Sequence, residues 1–204
     1  MLFRSLLCTR LPKVGKVTLC YALLPDGKIL SEFTVAKMAD DHYYLVGAAG
    51  AEWHDLDVLE HALPTDGSVT LRNISKDYGS LVLVGPRARE VLAAVTSTPL
   101  DNQNFPWLSV RDIDTAVGSV RTLRVGYVGE LGWELHAAND QLVPLYHALW
   151  AAGEQHGIRD FGIYAVDSLR LDKGYRGWKG DVEIGFSDRK SKRLNSSHLG
   201  ISYA

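Results

Sequence analysis

The most informative stretch of this sequence is Gly126-Tyr127-Val128-Gly129-Glu130-Leu131-Gly132-Trp133-Glu134. Two of its glycines, Gly129 and Gly132, bracket the pair Glu130-Leu131. Because glycine accepts the backbone angles of tight turns, this spacing predicts a hairpin turn between a strand at 125–127 and a strand at 133–135. The prediction brings Tyr127 and Glu134 near each other across the turn.

An aromatic face beside a carboxylate is suited to holding a flat heterocycle that offers adjacent N–H donors. An ionised carboxylate accepts two such hydrogen bonds in parallel, and charge-assisted bonds are about twice as strong as neutral ones. The residues alone leave another interpretation open, a hairpin with a surface tyrosine and a surface glutamate, since exposed polar residues are the norm.

The surrounding sequence predicts an α+β fold in which helices pack on antiparallel sheets. Residues 51–63 have apolar side chains at helical spacing, and further helices are predicted after Pro86, from a cap at Asn139 or Asp140, and at 162–173. Alternating and β-branched runs predict strands at 17–24, 29–35, 41–46, 68–74, 79–84, around Val110, at 119–127 and at 133–136. Consecutive strands joined by hairpins favour α+β over a doubly wound parallel sheet.

Composition excludes several classes of function. The chain has 204 residues and a formal net charge of −2, which gives no electrostatic reason to expect a nucleic-acid or membrane partner. Apolar runs such as residues 81–84 are too short to span a bilayer. Cys8 and Cys20 lie outside any metal or redox pattern and are expected to be reduced thiols. His54 and His61 share a helix face, but a solvated face is favoured over a metal site, so no metal is predicted.

The segment from 188 to 204 differs from the rest, because it combines basic residues with no apolar period. One interpretation is a disordered basic tail. The segment also closely resembles the translated sequence of a common sequencing adapter, with Lys192 where the adapter encodes threonine. We therefore expect a non-native, disordered tail at 188–204, a native domain over 1–187, and a natural protein that continues past Ser187.

Several segments together resemble the aminomethyltransferase (glycine cleavage T-protein) family. They are Gly-Tyr-x-Gly-Glu-x-Gly-x-Glu at 126–134, Leu-Pro-Lys-Val-Gly at 11–15, Asp-Gly-Lys-Ile-Leu-Ser-Glu at 26–32, Gly-Pro-Arg-Ala at 85–88 and Asp-Ser-Leu-Arg-Leu at 167–171. The resemblance covers residues 3–187. The segment Lys-Gly-Tyr-Arg-Gly-Trp at 173–178 looks most like the C-terminal folate domain of dimethylglycine and sarcosine dehydrogenases, which implies a truncated folate-binding domain of that type.

The resemblance assigns roles to three residues of this chain. Glu134 matches the family glutamate that binds the pterin ring of tetrahydrofolate, and Tyr127 matches a tyrosine of the same pocket. Glu32 matches the family's key acidic residue near the reacting folate nitrogens, where most glycine-cleavage members have aspartate. A carboxylate there can stabilise a cationic carbon or relay a proton, which makes Glu32 the catalytic candidate. The alternative for Glu32 is a solvated strand residue.

One position departs from the glycine-cleavage pattern. Those members have an arginine that contacts the cofactor just before Asp-Ser-Leu-Arg-Leu, and this chain has Val166. The departure favours the dehydrogenase branch, in which a flavin domain oxidises a methylated glycine and the folate domain forms 5,10-methylenetetrahydrofolate. The resemblance thus implies tetrahydrofolate as cofactor, FAD only in a flavin domain elsewhere in the parent chain, and a bacterial cytoplasmic or mitochondrial matrix location. A stand-alone aminomethyltransferase and a non-catalytic folate-binding regulatory module remain alternatives.

Overall fold

The computed structural model of the chain describes residues 6–178 and residue 181. The segment for which a non-native tail is predicted, 188–204, lies outside the described residues. None of the helices described is long and apolar enough to cross a membrane.

The first sheet contains three antiparallel strands in the order β1-β2-β3, with β1 at Val17–Leu23, β2 at Ile29–Lys37 and β3 at Tyr43–Val46. Gly27, at φ 83, supplies the left-handed residue that the turn between β1 and β2 requires. Alternate residues Cys20, Phe33 and Val35 are buried on one face, together with Leu59 of helix α1 (Glu52–His61). The opposite face carries Tyr21 and Glu32, which are directly paired across the two strands.

The second sheet has four antiparallel strands, in the order β4-β7-β6-β5. They are β4 (Tyr78–Val84), β5 (Val110–Thr115), β6 (Gly118–Leu123) and β7 (Gly132–Ala138). Helices α2 (Ala88–Ala93) and α3 (Asn139–Gly153) pack against one face and bury a core centred on Trp133 and Leu135. Helix α4 follows at Ile163–Asp172.

The two sheets are joined by main-chain bonds and a small apolar cluster. The Val17 N–H donates to the Leu108 carbonyl (2.9 Å), and the Val110 N–H donates to the Gly15 carbonyl (3.0 Å). Val17, Ala36, Val110 and Leu123 form a buried cluster between the sheets. Ala36 and Glu32 share one face of β2, because side chains alternate along a strand. The face that carries Glu32 is therefore directed toward the second sheet.

The predicted α+β class, with antiparallel sheets and packed helices, is confirmed. Two local predictions are wrong. Residues 68–74 form no strand, and Leu71 packs on the core of the first sheet. Side-chain turns lie at the two ends of the segment: Asp66 Oδ1 accepts the Ser68 N–H (2.9 Å), and Asn73 Oδ1 accepts the Ser75 N–H (2.9 Å). Helix α3 is not capped by the side chain of Asn139 or Asp140. Its cap is Ala138, whose N–H donates to Gln141 Oε1 (3.2 Å).

The predicted tight hairpin at Glu130-Leu131 is also wrong, because β6 ends at Leu123 and residues 124–131 form a longer connection to β7. At Arg124 the main chain leaves β7 and pairs with residues 108–109: the Arg124 N–H donates to Ser109 (2.8 Å), and its carbonyl accepts from Leu108 (3.1 Å). Gly129, at φ 74, lies within this connection. The loop brings Tyr127 to a partly exposed position by a wider path than a two-residue turn.

Candidate functional site

A cavity of about 830 Å³ lies at the edge of the second sheet. Strand β4, the 124–131 connection, helix α3 and the start of helix α4 form its walls, which are largely apolar and aromatic. Tyr127 and Glu134 both line this cavity, and so does Val166. Two of the three predicted site residues are thus brought to one site.

Strand alternation places Glu134 at the cavity. Trp133 and Leu135 are fully buried in the core on one face of β7, so Glu134 and His136 lie on the other. Glu134 pairs across the sheet with Val82, which is 49% exposed, and with Leu123 on β6. The Glu134 carboxylate is therefore partly accessible while its main chain is held between two strands.

A buried histidine stands beside Glu134. His136 is 6% exposed, and its Nε2 is 3.5 Å from Glu134 Oε2. Its Nδ1 is 3.0 Å from the Tyr44 hydroxyl, and the two rings meet edge to face at 87°. His136 Nε2 makes no hydrogen bond with any described residue, so the Glu134 carboxylate is the polar group it faces.

Two charged residues hold Tyr44 in place. The Arg121 guanidinium carbon lies 4.8 Å from the centre of the Tyr44 ring, within the range of a cation–π contact. Arg121 in turn donates two hydrogen bonds to Asp112, at 3.0 and 3.2 Å. Sequence reasoning missed Tyr44, Arg121 and His136. The period of two on β7, which places His136 on the face of Glu134, is the signal that indicates His136.

Tyr127 contacts helix α4 and the segment that follows it. Its ring stacks with Tyr175 at 6.4 Å and an interplanar angle of 13°, and the Arg170 guanidinium lies 5.8 Å from the ring centre. Arg170 pairs with Asp167 (2.8 Å) and with Asp181. Burial raises the pKa of Tyr127, and the charge of Arg170 opposes this shift. The phenol therefore stays neutral near pH 7 and can donate a hydrogen bond.

Glu32 lies apart from the cavity wall, on β2 of the first sheet and opposite Tyr21. Burial raises the pKa of the Glu32 carboxyl, and hydrogen bonding by the Tyr21 hydroxyl opposes the shift. Burial and the Glu32 charge together raise the pKa of Tyr21 to about 12. The Glu32 charge is also one of the smaller causes that raise the pKa of Tyr127, after burial.

The structure thus joins Tyr127 and Glu134 at one cavity and keeps Glu32 on a neighbouring sheet face. That face also carries Ala36, which is paired with Tyr44, the hydrogen-bond partner of His136. Glu32 is four residues from Ala36, about 13 Å along an extended strand. Within 6–178 and 181, no group of three or more His, Cys, Asp or Glu side chains is arranged to hold a metal ion.

Two known proteins are similar in sequence to this chain over most of its length. Dimethylglycine dehydrogenase of Mus musculus mitochondria is 36% identical over 173 residues, which cover 84% of this chain and 20% of that protein. An aminomethyltransferase of Chloroherpeton thalassium is 37% identical over 163 residues, covering 79% of this chain and 44% of that protein. The chain thus spans about a fifth of the length of the dehydrogenase and less than half of the length of the aminomethyltransferase.

A solved structure shares the fold. Glycine cleavage system aminomethyltransferase T from Bartonella henselae superposes with a TM-score of 0.74 at 21% identity, covering 98% of this chain and 56% of that one. The profile of the GCVT N-terminal domain family matches residues 2–188. The resemblance drawn from the sequence motifs is confirmed, and the chain belongs to the GCVT N-terminal domain family.

Proposed function

We propose that this chain is the tetrahydrofolate-binding, one-carbon-transfer part of a flavin-dependent enzyme of the dimethylglycine and sarcosine dehydrogenase type. The observation that carries the proposal is the convergence of Tyr127 and Glu134 on the wall of one cavity of about 830 Å³. The 36% identity to a dimethylglycine dehydrogenase supports this branch. Val166, in the cavity wall where glycine-cleavage members have arginine, supports it as well.

The cavity has the properties of a site for a flat heterocycle. Small-molecule pockets usually measure about 300–1,000 Å³ and combine apolar walls with a few polar groups. Here the Glu134 carboxylate accepts paired N–H donors, such as those of a pterin, and the neutral Tyr127 phenol borders the ring. The donor set of tetrahydrofolate therefore fits the residues present.

Glu32 is the proposed catalytic residue. Because burial raises its pKa, the carboxyl is closer to neutrality than a solvated glutamate and is suited to taking up and releasing a proton. Tetrahydrofolate, when bound, supplies the nitrogens that receive the one-carbon unit of a methylated glycine, and the product is 5,10-methylenetetrahydrofolate. The flavin domain that oxidises the methylamine lies outside this chain.

The proposal includes the organisation and location of the parent protein. Residues 1–187 form part of the folate-binding domain, and 188–204 are a non-native tail. Its location is the mitochondrial matrix in a eukaryote or the cytoplasm in a bacterium. A second candidate is a stand-alone aminomethyltransferase, which the 37% identity to the Chloroherpeton protein favours. The native reading frame upstream of residue 1 distinguishes them, since only the dehydrogenase type encodes a flavin-binding domain there.

Calorimetric titration with tetrahydrofolate tests the binding role. The Glu134→Gln variant keeps the shape of the side chain and removes its charge, so its affinity should fall about 10- to 100-fold. Glu60→Gln, at an exposed position of helix α1, is the matched control and should bind like wild type. Equal affinities for Glu134→Gln and Glu60→Gln would exclude Glu134 from the ligand site.

Product formation by the complete native protein tests the catalytic role separately. Glu32→Gln should lower the yield of 5,10-methylenetetrahydrofolate while methylamine oxidation by the flavin domain continues. If the yield is unchanged, Glu32 has no part in transfer, and a folate-binding regulatory module becomes the better description of the chain.

A further inference from the structure

A chain of polar side chains connects the two sheets behind the proposed pterin carboxylate. It runs from the Tyr44 hydroxyl on β3 to His136 Nδ1 (3.0 Å), and from His136 Nε2 to Glu134 Oε2 (3.5 Å) on β7. His136 is 6% exposed, so its ring has little contact with water. A buried polar group that lacks a partner destabilises the folded protein, so the direction in which the imidazole N–H points matters for the polar groups around it.

The contacts of the imidazole select its tautomer. When the Tyr44 hydroxyl donates to Nδ1, the ring proton resides on Nε2 and points toward the Glu134 carboxylate. The other tautomer would direct the lone pair of Nε2 at an anionic oxygen, which is repulsive in a buried setting. The Nε2–H form is therefore favoured, and protonation of the ring would keep the same N–H directed at Glu134.

The surroundings hold the imidazole in this position. On β6, Arg121 lies over the Tyr44 ring at 4.8 Å and is tied to Asp112 of β5 by two hydrogen bonds. Burial raises the pKa of Tyr44; the charge of Arg121 opposes this shift, whereas Tyr78 on β4, Glu134 on β7 and Asp112 on β5 add to it. Arg121 thus packs over the Tyr44 ring, and the Tyr44 hydroxyl contacts Nδ1 of His136.

We propose that His136 is a positioning residue that orients the Glu134 carboxylate for a heterocyclic ligand in the cavity. This inference deepens the proposed folate site and rests on it. The Nε2 of His136 faces Oε2 of Glu134 across 3.5 Å, and the attraction between an Nε2–H and the carboxylate restrains the rotation of the carboxylate. Each carboxylate oxygen has two acceptor positions, so both oxygens remain able to accept N–H donors from the ligand. Preorganisation of this kind raises affinity because less side-chain freedom is lost on binding.

Three variants test the inference through tetrahydrofolate affinity. His136→Gln places an amide donor near the position of Nε2, whereas His136→Asn reaches only the Nδ1 side and presents no donor to Glu134. We expect an affinity within about twofold of wild type for His136→Gln, and one about tenfold weaker for His136→Asn. Tyr44→Phe should weaken binding about threefold, because the ring stays and the hydroxyl that selects the tautomer is lost.

Equal affinities for His136→Gln and His136→Asn would overturn the inference, whether both fall or both stay, since packing alone would then explain them. Thermal melts of each variant identify any that fails to fold. The imidazole ¹⁵N resonances of the wild-type chain provide a readout that needs no ligand. We expect the Nε2–H form, or the doubly protonated ring, and the Nδ1–H tautomer would overturn the inference. Absence of folate binding by the wild type would instead count against the proposed function.

Discussion

Replacing Gly132 with alanine should destabilise the protein through packing alone. Gly132 is not in the left-handed region, so alanine meets no strain of backbone conformation there. A Cβ atom at this position would lie 2.4 Å from Val84 Cγ1, 2.8 Å from the Leu83 carbonyl oxygen and 3.2 Å from Val84 Cα. Two of these three atoms belong to the main chain of β4, which pairs with β7 at this residue.

The expected cost follows from these distances. Overpacking by a methyl group costs about 1–3 kcal/mol, and the lower values apply where a side chain rotates away. Rotation of Val84 relieves only one of the three contacts at Gly132, so β4 and β7 must separate locally. We expect a loss of about 2–3 kcal/mol, which lowers the melting temperature of a domain of this size by about 4–12 °C.

Circular dichroism melts and urea titrations measure this loss, with Gly50→Ala as the matched control. No atom lies within 4 Å of a Cβ built at Gly50, and Gly50 is not among the glycines at positive φ. Alanine there should be neutral or stabilising by up to about 1 kcal/mol, because it restricts the unfolded chain. If Gly132→Ala and Gly50→Ala differ by less than about 0.5 kcal/mol, the close packing of β4 on β7 is refuted.

Three further outcomes are expected. Burial raises the pKa of Glu32 in the folded protein above its ordinary 4.5. Below pH 4.5 the carboxyl is protonated in both the folded and the unfolded protein and does not affect stability. Above the folded pKa it is ionised in both, and its burial as an anion destabilises the folded protein. Wild-type stability should therefore fall as pH rises through this window, and urea titrations at several pH values should show a smaller fall for Glu32→Gln. Cys8 is exposed whereas Cys20 is buried with a raised pKa, so a thiol reagent should label only Cys8 until the protein unfolds. Ser31→Ala should cost about 1–3 kcal/mol in urea unfolding, because the Ser31 hydroxyl donates to the buried Asp55 carboxylate (2.6 Å); an unchanged midpoint would count against that bond.

The elements that the sequence predicts well are those with local causes. Strands β1 and β2 have alternating apolar residues on either side of a Pro-Asp-Gly turn, and both form where expected. Helix α1 follows the apolar spacing of Leu56 and Leu59. Each of these signals involves residues within one turn or one hairpin, so no distant contact is needed to form the element.

The wrong predictions arise from distant contacts. Residues 119–127 have strand-like composition, yet the pairing of β6 with β7 ends at Leu123 and Glu134, and the main chain of Arg124 bonds instead with residues 108 and 109. Residues 68–74 contain β-branched side chains, but Leu71 packs on the core of the first sheet without joining a strand. In both segments tertiary packing overrides the intrinsic preference of the residues.

In the candidate site, too, the residues that the sequence identifies belong to a local motif, and those that it misses depend on distant contacts. The motif at 126–134 identifies Tyr127 and Glu134, which line one cavity, because both are close in sequence. Tyr44 is 92 residues from His136, and neither has a recognisable motif. Pairing across such a distance depends on how two sheets pack, which a local pattern does not specify. His136 alone was accessible to sequence reasoning, as the next residue on the Glu134 face of β7.

A residue in the left-handed region lies at the junction of the two sheets, between the sheet of Glu32 and the loop of Tyr127. Leu108 has φ 56, a left-handed conformation that costs a non-glycine residue about 1–2 kcal/mol. Both of its main-chain groups are used: its carbonyl accepts from Val17 of β1, and its N–H donates to Arg124, which begins the connection that carries Tyr127. Leu108 is therefore one of the residues that connect the sheet of Glu32 to the loop of Tyr127. Together with the bond between the Val110 N–H and the Gly15 carbonyl and the buried cluster of Val17, Ala36, Val110 and Leu123, these bonds set the spacing between the proposed catalytic carboxyl and the proposed binding pocket.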